Sequence, residues 1–161
     1  MKTSIIYHSY SGNTRSVAEK VHAACGGDLV EVKLTSDYSS LTAYTLGCYR
    51  AMKGLCDPIE QNVIDVTAAD VIVIGTPVWA GKATPAINAA VAALAGCRGK
   101  NAVIFATCGK DGGETLPAIK NALEHNGVTV RGEFVFDKDG ITDPDRINAM
   151  ISAIKTAGSM P

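Results

Sequence analysis

The 161-residue sequence predicts a doubly wound α/β domain, a three-layer sandwich in which a parallel sheet is covered by helices on both faces. Three observations predict it. Short segments rich in β-branched residues alternate with segments that carry apolar residues at helical spacing. The central runs "VIVIG" and "AVIFA" are apolar throughout rather than alternating, as strands covered on both faces are. Three loops rich in Gly, Ser and Thr each leave a strand and enter a helix, where such folds bind ligands.

The elements follow in order. Strands are expected over Thr3 to His8, Asp28 to Leu34, Asp70 to Gly75, Asn101 to Thr107 and Val128 to Val135, all short and β-branched. Helices are expected over Asn13 to Cys25, Ser39 to Lys53, Thr84 to Leu94, Glu114 to His125 and Pro144 to Thr156, several opened by Asp, Asn, Ser or Thr. No repeat, linker or low-complexity tract divides the chain, so residues 1–161 are read as a single domain with one core.

Composition narrows the function. Fifteen basic and sixteen acidic side chains leave a net charge of −1, and no basic cluster is interleaved with aromatics, which argues against a nucleic-acid partner. No apolar run approaches the roughly 20 residues of a membrane helix. The N-terminal "MKTSIIYHSY" turns polar too soon for a signal peptide, so a cytoplasmic location is expected. Five scattered cysteines without a CxxC pair suit reduced thiols rather than a disulfide framework or a zinc site, and no metal site is expected. Neither a Ser-His-Asp set nor a carboxylate pair emerges from the spacing, and no catalytic residue is assigned.

The candidate ligand loops are Ser9 to Thr14, "TPVWAGKATP" from Thr76 to Pro85, and "TCGKDGGET" from Thr107 to Thr115. The first contains neither a Walker A string nor GxGxxG. It reads S-x-S-G-N-T: Ser9, Ser11 and Thr14 offer three hydroxyls, Gly12 permits a positive φ, and the amides that follow open a helix. Such a loop can donate many hydrogen bonds to one phosphate without a lysine. A helix cap alone needs one hydroxylated residue, and three around a glycine favour phosphate binding.

"SYSGNT" after a first strand resembles the phosphate loop of the flavodoxin-like family, [ST]-x-[ST]-G-x-T, which holds the 5′-phosphate of flavin mononucleotide (FMN). "DVIVIGTPVWAGKATPAI" is similar to that family's third strand and following loop, and "AVIFATCGKDGGETLPAI" to its fourth. Together these cover nearly the whole chain. The resemblance implies a five-stranded parallel sheet in the order 2-1-3-4-5 and FMN as cofactor. It also implies that Ser9, Tyr10, Ser11, Gly12, Asn13 and Thr14 cradle the phosphate. Pro77, Val78, Trp79, Ala80, Gly81 and Lys82 would flank the isoalloxazine ring, with Trp79 as a flat apolar surface. Thr107, Cys108, Gly109, Lys110, Gly112 and Gly113 would approach its pyrimidine end.

Two departures bear on the role. Electron-carrier flavodoxins are strongly acidic and carry an aromatic in the third loop, and this chain has neither feature. The expected function is FMN-based electron transfer with a redox partner protein or a small-molecule donor and acceptor. The alternatives are a small NAD(P)H-dependent flavin or quinone reductase, and a flavin-free binding or regulatory module on the same fold. A homodimer, with a second subunit covering the flavin, is compatible with either redox reading. Tyr38, Tyr44, Tyr49 and Arg50, in the longer connection from Tyr38 to Gln61, are read mainly as packing residues, as are His8 and Cys108.

Overall fold

The computed structural model describes residues 1–160. Among the described residues there are eight strands and six α-helices. The strands are β1 (Thr3–Tyr7), β2 (Asp28–Glu31), β3 (Ile64–Asp65), β4 (Val71–Trp79), β5 (Lys82–Ala83), β6 (Leu94–Ala95), β7 (Asn101–Thr107) and β8 (Thr129–Phe136). The helices are α1 (Asn13–Cys25), α2 (Ser40–Thr42), α3 (Cys48–Met52), α4 (Pro85–Ala92), α5 (Thr115–His125) and α6 (Pro144–Gly158), with a π-helical turn, Ala43–Gly47, joining α2 to α3.

The main sheet runs β2-β1-β4-β7-β8, all pairs parallel, and β5 adds to β4 antiparallel. The expected five strands therefore describe the long parallel ladder but not the whole: the sheet has a sixth, two-residue strand, and β3 pairs with β6 in a separate small ladder. The omission has a local cause. Two-residue strands leave no periodic signal, whereas the long strands announce themselves by continuous apolar runs.

Alternation across the sheet sorts the core into two layers. Ile6, Ile72, Ile74 and Ile104 point to the side covered by Ile87 of α4 and by Ile119 and Leu123 of α5. Ile5, Val73, Val103 and Phe105 point to the other, against Val17 and Val21 of α1 and Met150 and Ile154 of α6. Every residue of β7 is buried, as its sequence implied. Each such fully buried aliphatic or aromatic side chain contributes ~1.5–3 kcal/mol of transfer free energy.

Several boundaries differ from those the sequence suggested. β2 stops at Glu31, and Leu34 instead bridges antiparallel to Ile59. β4 runs on through Trp79, and Ala80 and Gly81, both at positive φ (50° and 73°), turn it into β5. That is the two-residue turn that matches strand twist, and it makes the second loop a hairpin. The single helix expected over Ser39 to Lys53 is broken into α2, the π turn and α3. α4 begins where Thr84 Oγ1 accepts from the Ile87 amide, with Pro85 in the first turn.

Candidate functional site

The parallel strands place the β1–α1, β4–α4 and β7–α5 connections together at their carboxyl ends. Between them lies a cleft of about 570 Å³. Tyr10, Ser11 and Asn13 contribute from the first connection, Pro77, Val78, Trp79 and Ala80 from the second, and Thr107, Cys108 and Gly109 from the third. Three further lining residues were not anticipated, Ala43 and Cys48 from the π turn and α3 and Lys138 beyond β8, while Tyr44, read mainly as packing, lines the cleft and is 80 % exposed.

The first connection is built to present amides. Gly12 stands at φ 94°, in the left-handed region, at the N-cap of α1. Its own amide and that of Arg15 donate to Ser9 Oγ, each at 3.2 Å, so the Ser9 hydroxyl braces the loop from within. Among the described residues, no protein acceptor meets the amides of Ser11, Asn13 or Thr14. These N–H groups converge at the positive end of a 13-residue helix, the arrangement that binds a phosphate. The residues present therefore fit the phosphate end of FMN.

Thr14 acts from beneath. It is 1 % exposed, and its Oγ1 lies 2.7 Å from Thr107 Oγ1 at the end of β7, which is also buried. One hydrogen bond thus locks the first connection to the third, and losing either hydroxyl would strand the other at a cost of ~1–3 kcal/mol.

Trp79 is the centre of an aromatic cluster. Tyr10 and Tyr38 each meet its ring edge-on at 5.7 Å, and His8 does so at 6.3 Å. A Cβ on Gly47 would lie 2.7 Å from Trp79 Cζ3, so the π turn passes as close to the indole as a glycine allows. Tyr38 is held in turn by buried Asp57, which accepts from the Tyr38 hydroxyl and from Arg50 Nε, while Arg50 Nη2 donates to the Cys56 carbonyl at 2.8 Å. Burial, reinforced by the bond to Asp57, pushes the Tyr38 hydroxyl up to about 12.

Other expected residues lie elsewhere. Gly81, Lys82, Lys110, Gly112 and Gly113 do not line the cleft. Gly81 and Gly113 pack against each other: the Glu114 amide donates to the Gly81 carbonyl at 2.8 Å, and Gly112 faces Val135. These glycines join the hairpin to the third connection. Cys108 does line the cleft, but burial raises its thiol above the ordinary range, which opposes a nucleophilic thiolate.

His8 is 7 % exposed, and Nδ1 lies 3.0 Å from the Val32 carbonyl. Burial holds its pKa below the usual histidine value, the Val32 bond opposing in part. The unfolded chain therefore takes up this proton first, so the stability His8 contributes is complete above about pH 6.5 and is lost as pH falls further. Thermal unfolding is expected to show Tm falling below that pH, less steeply in His8→Gln; equal slopes would exclude this origin.

The parallel sheet, the first connection and the aromatic-walled cleft at its carboxyl ends define a flavodoxin-like α/β protein. The chain belongs to the NADPH-dependent FMN reductase family, which matches residues 1–140. FMN is accordingly its cofactor, and it is an FMN-binding redox protein. No curated protein matches the sequence.

Solved structures share the fold. A candidate flavoprotein from Bacteroides eggerthii is 25% identical with a TM-score of 0.78, over 96% of this chain and 98% of that one. A flavoprotein from Lactobacillus acidophilus in complex with FMN is 23% identical with a TM-score of 0.66, over 86% and 95%. A flavodoxin from Megasphaera elsdenii is 21% identical with a TM-score of 0.58, over 95% and 98%.

Proposed function

We propose that the chain acts as a small NAD(P)H-dependent flavin or quinone reductase. FMN lies in the 570 Å³ cleft with its phosphate on the amides of Ser11, Asn13 and Thr14 and its ring along Pro77 to Ala80. One observation carries the choice of a reductase over a carrier. The third-connection wall is made of Thr107, Cys108 and Gly109, with no aromatic to cover the ring, so a small substrate can reach it. Bound FMN supplies the hydride- and electron-accepting chemistry. The protein orients the ring against the Trp79 cluster and brings a cation, Lys138, to the edge of the cleft.

Electron carriage is the second reading, favoured by the surface beside the cleft. Leu41 and Tyr44 are 75% and 80% exposed there, and Leu46 and Met52 are exposed as well, which suits contact with a redox partner protein or a second copy of the chain. Among the described residues no helix is long and apolar enough to cross a membrane. A cytoplasmic setting, with residues 1–161 acting as one unit, belongs to both readings.

An anaerobic titration separates the two. Bleaching of the visible flavin absorption by about one equivalent of NADPH or NADH supports the reductase. Bleaching by dithionite alone, with both nicotinamides inert, assigns the carrier.

A further inference from the structure

Among the described residues Asp57 is the only buried carboxyl group, 7 % exposed, and it does not line the flavin cleft. Both its oxygens are used: Oδ1 accepts from Arg50 Nε and Oδ2 from the Tyr38 hydroxyl. A carboxyl group offers two acceptor oxygens where an amide offers one, so the two donors account for the residue type. A buried ion pair recovers little more than its own desolvation, so stability alone does not account for its place.

That place joins two segments that no regular element fixes, since Tyr38 and Asp57 lie outside every helix and strand. On one side the Asp57 amide donates to the Pro85 carbonyl at 3.2 Å, and Asn88 Nδ2 donates to the Leu55 carbonyl at 3.0 Å. Both bonds tie the segment to α4, the helix that follows the Trp79 hairpin. On the other side the Tyr38 hydroxyl is held by Asp57, and the Tyr38 ring meets Trp79 edge-on at 5.7 Å. A continuous path therefore runs from α4 through Asp57 and Tyr38 to the indole. Burial and the bond to Asp57 push the Tyr38 hydroxyl up to about 12, so it keeps the proton it donates throughout the neutral range. The other neighbours hold the indole less firmly: Tyr10 is 44 % exposed, and Gly47 brings no side chain.

We propose that Asp57 is a positioning residue of the flavin site, holding the Trp79 indole in place through Tyr38 as the wall on which the isoalloxazine ring lies. This rests on the reading that places the FMN ring along Pro77 to Ala80. One consequence distinguishes it from the role of the first connection. FMN and riboflavin share the ring, so loosening the indole weakens both alike, whereas a change at the phosphate end weakens FMN alone.

Two variants test the proposal. Tyr38→Phe keeps the ring and removes the tie, and Asp57→Asn leaves one acceptor oxygen for two donors. Each is expected to weaken FMN and riboflavin by the same factor, about fivefold or more, with the ratio of the two affinities within about twofold of wild type. Because Asp57 acts through Tyr38, the double variant should lose little beyond Asp57→Asn alone. In the flavin-free protein, acrylamide should quench Trp79, the single tryptophan, at least about 1.5-fold more steeply in either variant than in wild type. A merely structural role would lower Tm and leave the quenching of the folded protein unchanged. Should Asp57→Asn fail to fold, the titrations and quenching of Tyr38→Phe decide alone. Wild-type affinity and quenching in the variants that fold, a loss confined to FMN, or additive losses in the double variant would each overturn the proposal. If FMN leaves Trp79 emission unquenched in the wild-type protein, the ring placement fails, and the acrylamide comparison still decides whether Asp57 positions the indole.

Discussion

Gly12→Val is expected to weaken FMN binding by about 100-fold while leaving the fold intact. A Cβ at Gly12 meets nothing within 4 Å, so the substitution creates no clash. Its effect is in the backbone. At φ 94° a β-branched residue is strained by ~1–3 kcal/mol, and relief comes from rotating the turn out of the left-handed region. That rotation misdirects the amides that follow and uncouples the Gly12 amide from Ser9 Oγ, so the strain appears as lost affinity. Flavin fluorescence quenching measures the change, and an unchanged far-ultraviolet spectrum confirms that α1 persists. Unaltered affinity would remove the first connection from the site.

Gly113→Val should produce the largest loss of stability among changes near the cleft. Gly113 has φ 51°, and a Cβ there would lie 2.6 Å from the Gly81 carbonyl oxygen and 2.7 Å from Gly81 Cα. Both neighbours are backbone, so no side chain can swing aside. The hairpin tip and the third connection must separate, breaking the bond from the Glu114 amide to Gly81. Overpacking of this kind costs ~1–3 kcal/mol, and strain at positive φ adds to it. A fall in Tm of roughly 4–10 °C is expected. FMN affinity should fall as well, because the walls carrying Ala80 and Gly109 move apart. A variant with wild-type Tm would show that the two loops are not in this contact.

How much was legible in the sequence depends on how local each signal was. The glycine turn that opens α1 was readable because three hydroxylated residues surround one glycine within six positions, immediately after an apolar strand. β7 and the central part of β4 were readable because a strand buried on both faces has no polar alternation to confuse it. The hairpin at Ala80 and Gly81 was not, since an alanine seldom takes positive φ and Pro77 and Gly81 suggested irregular loop. Gly112 and Gly113 were expected to approach the flavin ring, and in the structure they closely approach Val135 and Gly81. Tyr44, Cys48 and Lys138 reach the cleft from segments distant in sequence, and only the folded chain brings them there. The reading of Tyr38 as packing agrees with its place between Trp79 and Asp57, although the ion pair between half-exposed Arg50 and buried Asp57 gave no sequence signal.

The most direct test of the central claim compares FMN with riboflavin, which differs only in lacking the phosphate. Equilibrium titration of the flavin-free protein with each, followed by flavin fluorescence, should show FMN binding at least about 100-fold more tightly. In Gly12→Val that advantage should largely disappear. Equal affinity for the two flavins in the wild-type protein would mean that the amides of Ser11, Asn13 and Thr14 hold no phosphate, and would contradict the account.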